Sequence, residues 1–542
     1  MIKKTKIISS FLVLGILFLG SFLRIVGYNW DQGHHLHPDE RFLTMVGNKI
    51  KWPKDLKEYF NTDTSPLSPY NQGFGSFVYG TLPLFLIKKV ALILNKDSYA
   101  HFNLVGRIVS AIFDIGTLVA IGFTAKKILK KRKYWLWAMF LYAISTLPIQ
   151  LSHFFAVDTF LNFFLTSALF FLIIFHQNKR KKPLYISLAG ILVGTALACK
   201  ITAVFFLPIA GLFFLADWLK KKSFPQLFLN CLVFTTTLFL AFRILQPYAF
   251  IDTFHINPLF IANLKELRSH SYNLQSFYPP AVQWIKTKPL LFPAKNLILW
   301  GLGAPIGILT TMAILFFPIY FFKNIKKPPL FLAFSWVWVV FLFICQGIQF
   351  AKPMRYFLPL YPPLAIITGN FIGLYLEKIS NQNHRLLLKI YLITIFLIWP
   401  LSFIRIYLQP HSRVIASEWI YDNILQKATL SCEHWDDCLP LSIEEKSSAS
   451  YLYKTEMLQL YNADTDKKWK KIDQQLEQTD YLILSSNRLW GSIPKVPEIY
   501  PKTARFYNDL FAGKLSFKKI AEISSYPCFP PIGKPLFCIP DQ

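Results

Sequence analysis

The chain has 542 residues, of which 53% are hydrophobic and only 16% charged, against roughly a quarter charged in an ordinary soluble domain. Its apolar residues come in blocks of about 20 rather than in amphipathic periods, which excludes a soluble globular chain and points to membrane-spanning helices. The net charge of +28 does not mark a nucleic-acid binder, because the basic residues cluster between apolar blocks, as the positive-inside rule asks of cytoplasmic loops.

The opening Met-Ile-Lys-Lys-Thr-Lys imitates a secretory signal, but the apolar run continues to about Val26 without a small-x-small cleavage site. A retained first helix is expected. Eleven spans are predicted, at 7–27, 104–125, 134–151, 157–176, 184–199, 201–219, 226–245, 298–322, 329–346, 356–376 and 388–408. With the amino terminus in the cytoplasm, Lys3, Lys4 and Lys6 and the clusters at 126–133, 179–182, 220–222 and 323–327 all fall on the cytoplasmic side. The last helix then delivers the carboxy-terminal part outside the cytoplasm. The apolar stretch 77–95 carries Lys88 and Lys89 in its middle, which is expensive at bilayer depth. Counting it as a span would invert every later loop, so it is expected to be interfacial or re-entrant.

This pattern divides the chain into a transmembrane part, 1–409, and an extracytoplasmic tail, 410–542. Two further outer regions, 28–103 and 246–297, interrupt the membrane part. The tail is polar, with helix-like stretches at 416–424, 467–478 and 504–511 and a strand-like run at 481–485. The expected fold is therefore a polytopic α-helical membrane protein of about eleven helices with a small α/β domain at its end. Cys432, Cys438, Cys528 and Cys538 all lie in the tail, an even number in a compartment that permits disulfides. Three connectivities are open, Cys432–Cys438 with Cys528–Cys538 among them. A four-cysteine zinc site is less favoured, because neither pair has the usual gap of two to four residues.

The first outer loop contains His34, His35, Leu36, His37, Pro38, Asp39 and Glu40. Pro38 suits the first turn of a helix, and Phe42, Met45, Val46 and Ile50 would give that helix one buried face. Acidic residues are favoured at a helix start in any case, so this spacing alone does not establish chemistry. Asp158 stands at the outer end of the fourth span, where it would also serve as an N-cap. His153 is close by, and a lone interfacial histidine is more often structural. Cations lie at the same level: Lys200 in a tight turn, Arg243 at the end of span seven, and Lys352 and Arg355 before span ten. Each alone is compatible with snorkelling. Together they bring two acidic sites and several cations from distant segments to one face of the membrane, where ionisable groups are costly and tend to be functional. Cations suit a phosphate, and a carboxylate suits proton removal from a hydroxyl. Asp114 lies deeper, where Arg24 or Arg107 could pair with it.

His37-Pro38-Asp39-Glu40 resembles the acidic motif of the C-type (GT-C) polytopic glycosyltransferases, which include the protein O-mannosyltransferases and the aminoarabinose transferases of lipid A. The stretches 77–83, 107–117, 153–161, 196–203 and 355–363 are similar to the bacterial phospholipid-carrier-dependent members, so the resemblance covers roughly 8–408. It implies Asp39 as catalytic general base, with Glu40 positioning Asp39 or the acceptor. It also implies that Asp158 contacts sugar or acceptor and that Lys200 and Arg355 hold the carrier phosphate. His37, His153 and Tyr356 complete the expected substrate-binding set. The implied activity is an inverting transfer of a hexosyl or pentosyl group from a polyprenyl-phosphate donor to a protein, lipid or glycan hydroxyl outside the membrane. No cofactor is required by this reading. The loop histidines and acids could ligate a divalent metal, but their spacing is not specific for one. An oligosaccharide ligase or polymerase using lipid-diphosphate donors would not call for the His-Pro-Asp-Glu motif. A carrier-lipid transporter would be favoured by inverted repeats and a site near the midplane, and neither is evident.

Overall fold

A backbone crossing hydrocarbon must satisfy its own hydrogen bonds, so apolar runs of span length become helices. The computed structural model describes residues 2–129, 131–178, 182–272, 279–326, 329–443 and 449–540. Among them, nine helices are long and apolar enough to cross a membrane. A tenth span is the bent pair Arg132–Ala143 and Thr146–Ser152, which meet at 51°. Pro148, which has no N–H to return to the carbonyl four residues earlier, accounts for the break. The first helix, Ile2–Ile25, occupies the position of the first expected span. Each of the eleven expected spans thus has a helix, and the chain is a multi-pass membrane protein.

The stretch at 77–95 forms a helix only from Thr81 to Ile93, 13 residues. That gives about 20 Å, short of a hydrocarbon core of about 30 Å. Its Lys88 is buried and reaches Asp97 at 3.4 Å, while Lys89 lies 4.8 Å over the ring of Trp52. Span eight begins later than expected, at Ala304, because Leu297–Gly301 forms a π-turn and Gly303 adopts φ +83°. Deep in the bundle, Arg24 pairs with Asp114 at 2.6 Å, and both side chains are fully buried. Of the two partners open to Asp114, the fold uses Arg24.

The tail is mixed α and β. Strands β1 (Thr429–Glu433), β2 (Lys454–Leu458) and β3 (Tyr481–Leu482) form a parallel sheet in the order β2-β1-β3. Helices Ser412–Asn423, Asp466–Glu477 and Pro501–Phe511 accompany it. An antiparallel pair, β4 (Cys528–Phe529) and β5 (Phe537–Cys538), follows. The disulfides are Cys432–Cys438 and Cys528–Cys538. Arg405, in the last turn of the final span, donates to the carbonyl oxygens of Pro530, Pro531 and Gly533, tying the terminal hairpin to the bundle.

Candidate active site

The helix that carries the acidic motif runs from Pro38 to Lys49. His37 caps it, its Nδ1 accepting from the Glu40 N–H at 3.3 Å, and Pro38 occupies the first turn, where its missing donor is not needed. Leu43, Val46 and Ile50 are fully buried, whereas Phe42 is half-buried and Met45 is exposed. The buried stripe is therefore narrower than the expected one, which had included Met45.

Consecutive residues on this helix project in different directions, and the two acids separate accordingly. Glu40 is fully buried and takes a 2.7 Å hydrogen bond from Nε of Arg107. The two terminal nitrogens of Arg107 donate to Asp31, each at 2.8 Å, and its guanidinium lies 4.8 Å over the ring of Trp30. Burial pushes the Asp31 carboxyl up, but the hydrogen bond and charge of Arg107 outweigh it and hold the group below its ordinary value. For Glu40 burial wins over the same arginine, and its value rises to about 7. Asp39, by contrast, keeps 29% of its side chain exposed and forms an ion pair with Arg355.

Asp158 lies in the first turn of the Val157–Gln177 helix. It is not the N-cap, which is Ala156; it pairs instead with Lys200 at 2.7 Å. Lys200 lies 4.2 Å over the ring of Tyr356. Gly80 holds this corner together: its N–H donates to the Cys199 carbonyl at 3.0 Å, and a Cβ there would come within 2.1 Å of the Ala198 oxygen. Only glycine permits so close an approach of the two backbones.

These pieces converge on one cleft. His37, Asp39, Asp158 and Arg355 line it, with Leu43, Tyr79, Leu151 and Phe155 supplying apolar wall. A second, narrow pocket shares Tyr79 and is otherwise mainly apolar, lined by residues that include Phe77, Leu197, Phe260 and Leu264. His37 stacks on Phe154 at 4.3 Å. Burial first, then the charges of Arg355 and Arg107, depress its pKa to about 3. The ring is therefore neutral, and because Nδ1 accepts the cap hydrogen bond, its proton sits on Nε2.

The cleft thus brings together His37, Asp39, Asp158 and Arg355 of the expected set, with Lys200 and Tyr356 directly behind Asp158. Two expected residues lie elsewhere. Glu40 is not among the cleft residues and anchors the helix from beneath. His153 is fully buried, its ring nitrogens 2.8 Å from the carbonyl oxygens of Ile149 and Val26, and it stacks on Tyr407 at 3.8 Å. It belongs to the core and presents no free edge to a substrate. Asp31 and the partners of Arg107 escaped sequence reading; the available signal was a lone arginine inside a long apolar helix, which had to find a buried acid. Among the described residues, no group of three His, Cys, Asp or Glu side chains is arranged to hold a metal ion.

Residues 59–257 match the family model for dolichyl-phosphate-mannose-protein mannosyltransferase. Asp158 and Lys200 fall inside that segment, and Asp39 and Arg355 outside it. No curated protein sequence matches the chain. Among solved structures, the chain is similar to the oligosaccharyltransferase AglB from Archaeoglobus fulgidus, in complex with an inhibitory peptide and a dolichol-phosphate. That match has a TM-score of 0.52 and 13% identity, over 80% of this chain and 63% of that one. The Archaeoglobus fulgidus oligosaccharyltransferase in complex with Zn and sulfate gives 0.51 and 15%, over 78% and 60%. The chain therefore spans about three fifths of the length of these archaeal proteins. ArnT from Cupriavidus metallidurans, bound to undecaprenyl phosphate, gives 0.45 and 13%, over 90% of each chain. The chain shares its fold with these archaeal oligosaccharyltransferases, and its residues 59–257 match the family model for dolichyl-phosphate-mannose-protein mannosyltransferase.

Proposed function

We propose that this protein transfers a sugar from a polyprenyl-phosphate donor to an acceptor hydroxyl, with inversion, in the cleft between Asp39 and Asp158. One observation carries the reading. Two carboxylates from segments more than a hundred residues apart line one cleft, each paired with a cation, beside a mainly apolar cavity. The sugar would occupy the cleft, and the apolar cavity beyond Tyr79 suits the first isoprene units of the carrier. The relatives support such a donor: dolichol-phosphate and undecaprenyl phosphate occupy the archaeal and Cupriavidus proteins named above.

Arg355 and Lys200 each hold a carboxylate of the cleft. A donor phosphodiester, singly charged like either carboxylate and with two free oxygens to offer, competes for the same guanidinium and ammonium, and the leaving polyprenyl phosphate gains a second charge for them to hold. Binding of the donor would draw Arg355 from Asp39 and free that carboxylate at the moment a base is needed. The acceptor hydroxyl then gives its proton to Asp39 while its oxygen attacks the anomeric carbon. The bond from that carbon to the phosphate oxygen breaks, and polyprenyl phosphate leaves on the opposite face. General-base assistance supplies on the order of 10² to 10⁴ in rate, and fixed geometry supplies the rest. Asp158, paired with Lys200, is placed to accept hydrogen bonds from sugar or acceptor.

In this reading the cleft faces out of the cytoplasm. Lys126 and Lys127, Lys220 and Lys221, and Lys323 all fall in the last turns of their helices, as the positive-inside rule asks of cytoplasmic ends. The tail and the cleft lie at the other end.

The test is transfer by purified protein in liposomes from a panel of polyprenyl-phosphate sugars, wild type against Asp39→Asn. Carrier consumption lost in the variant while carrier binding persists is the expected result. Equal turnover by both would remove Asp39 from the chemistry, and binding without consumption by wild type on any donor would point to a carrier-lipid transporter.

A further inference from the structure

The tail touches the acidic-motif helix itself. Arg41, two residues after Asp39, donates from Nε to the His35 carbonyl at 2.8 Å and from Nη2 to Asp437 at 2.7 Å. One side chain thus fixes the turn into the helix and ties its first turns to the tail. Asp437 is itself held from several directions. Its other carboxylate oxygen pairs with Arg413, in the first turn of the helix that follows the last span. Its carbonyl accepts from the Ser485 hydroxyl at 2.5 Å. Its neighbour Asp436 is bound by Arg413 and by the hydroxyl of Ser486. The segment from Cys432 to Cys438 that contains both acids is closed by a disulfide. Arg488, which donates to the Trp435 carbonyl at 2.8 Å, sits close enough for its charge to act on His37. The disulfide-closed loop therefore meets, through Asp437, the helix that carries Asp39.

We propose that Asp437 and Arg41 are positioning residues: the rigid tail loop sets the placement of the Pro38–Lys49 helix, and with it the distance from Asp39 to the reacting atoms. This rests on the reading of Asp39 as the base. A tail that only needed docking would be served by contacts anywhere on the outer loops, and some exist, such as Lys286 with Glu498 at 3.1 Å. The Arg41–Asp437 pair differs because it lands on the helix that carries the base and is braced at its far end by Arg413, in the helix that follows the last span. Since a misplacement of about 1 Å can cost on the order of 10²-fold in rate, a loosened helix should lower turnover while leaving the carrier's cations untouched.

The test compares wild type, Asp437→Asn, Asp437→Glu and the double variant Cys432→Ser/Cys438→Ser in full-length protein, by amide hydrogen exchange, thermal unfolding and steady-state transfer. Binding of undecaprenyl phosphate serves as the probe of the carrier site. Expected are faster exchange confined to 38–49 in Asp437→Asn and in the cysteine variant, and wild-type exchange in Asp437→Glu. Turnover should fall by at least about tenfold at unchanged KM for the donor, unchanged undecaprenyl phosphate affinity and unchanged unfolding temperature. Unchanged exchange at 38–49, or a loss of turnover that only tracks a fall in unfolding temperature, would overturn the proposal. Asp39→Asn is measured alongside. If it keeps turnover, the base assignment fails and the exchange result still judges the placement of the helix. If it is inactive while Asp437→Asn is fully active, only the positioning role fails.

Discussion

The Pro38–Lys49 helix has two faces that use the same chemistry for opposite ends. On the cleft face, Asp39 meets Arg355 with roughly a third of each side chain open to solvent. On the buried face, Glu40 meets Arg107 with none. A half-exposed ion pair exchanges partners at little cost, because water compensates each charge as it is released. A fully buried pair cannot, because removing either partner strands the other in low dielectric. Adjacent carboxylates in one motif are thus divided into one able to react and one able only to hold. This comparison predicts that variants of the two faces fail in different assays.

The largest effect should come from Arg107→Gln. It strands Asp31 and Glu40 without a cation, and breaking a buried pair costs about 3–5 kcal/mol. The expected outcome is a collapse of the unfolding temperature in detergent, or failure to accumulate, whatever the substrate. An Arg107→Gln protein as stable as wild type would erase the distinction between the faces. Asp39→Asn should leave the same unfolding curve unmoved.

A buried acid of the tail sharpens the contrast, because no cation among the described residues pairs with it. Glu433, in β1 of the tail, is fully buried and accepts from the Tyr507 hydroxyl. Burial, against that hydrogen bond, raises its pKa to about 8. The folded chain therefore retains a proton that the unfolded chain releases near 4.5. The stabilising contribution is complete below 4.5 and is lost as pH rises through about 8, a swing of a few kcal/mol. Unfolding followed from pH 5 to pH 9 should show the tail weakening with rising pH, and Glu433→Gln should flatten that slope. A tail that grows more stable over this range would show that Glu433 is ionised in the fold.

These differences show where sequence reading succeeds and where it stops. Each of the eleven expected spans meets a helix because composition alone dictates one in hydrocarbon, nine of them long and apolar enough to cross as they stand, and the bent one breaks where Pro148 stands. Asp158 and Lys200 could be placed at the same membrane level, but not joined, since their contact depends on how Gly80 docks against Cys199. The resemblance separated the roles of Asp39 and Glu40, but spacing alone did not, because helical periodicity without knowledge of the partner surface does not say which face is buried; the exposed Met45 records the same limit. His153 had the right depth, yet its direction is set by Tyr407, more than 250 residues away. The contact of Asp437 with Arg41 crosses from tail to first loop, and no local pattern announces it.

Within the cleft, Lys200→Met should have a moderate effect. It removes the cation that pairs with Asp158 and that is proposed to receive the carrier phosphate. A charge-assisted hydrogen bond is worth about 1.5–3 kcal/mol, so undecaprenyl phosphate affinity should fall by about 10- to 100-fold, measured by isothermal titration in detergent. Turnover at saturating donor should fall less. Unchanged affinity would move the phosphate site away from this corner, leaving Arg355 to hold it alone.

The smallest effect concerns His37, which lies between the two faces. An ordinary histidine beside a catalytic acid would print an inflection near 6.5 on the pH–rate profile. Here burial and two arginines keep the ring neutral down to about pH 3, so turnover should show no such inflection from His37. The linkage sign is the reverse of that for Glu433: below 6.5 the unfolded chain takes up a proton that the folded ring refuses, and stability should decline with falling pH. His37→Asn, whose side-chain oxygen can still cap the helix, should keep most of the stability, whereas His37→Ala should lose about 1 kcal/mol with the cap. If an inflection near 6.5 is present in wild type and absent from His37→Asn, the ring titrates in the working enzyme and takes part in proton transfer. If it is absent from both, the ring caps the helix and offers only its Nε2 proton to whatever fills the cleft.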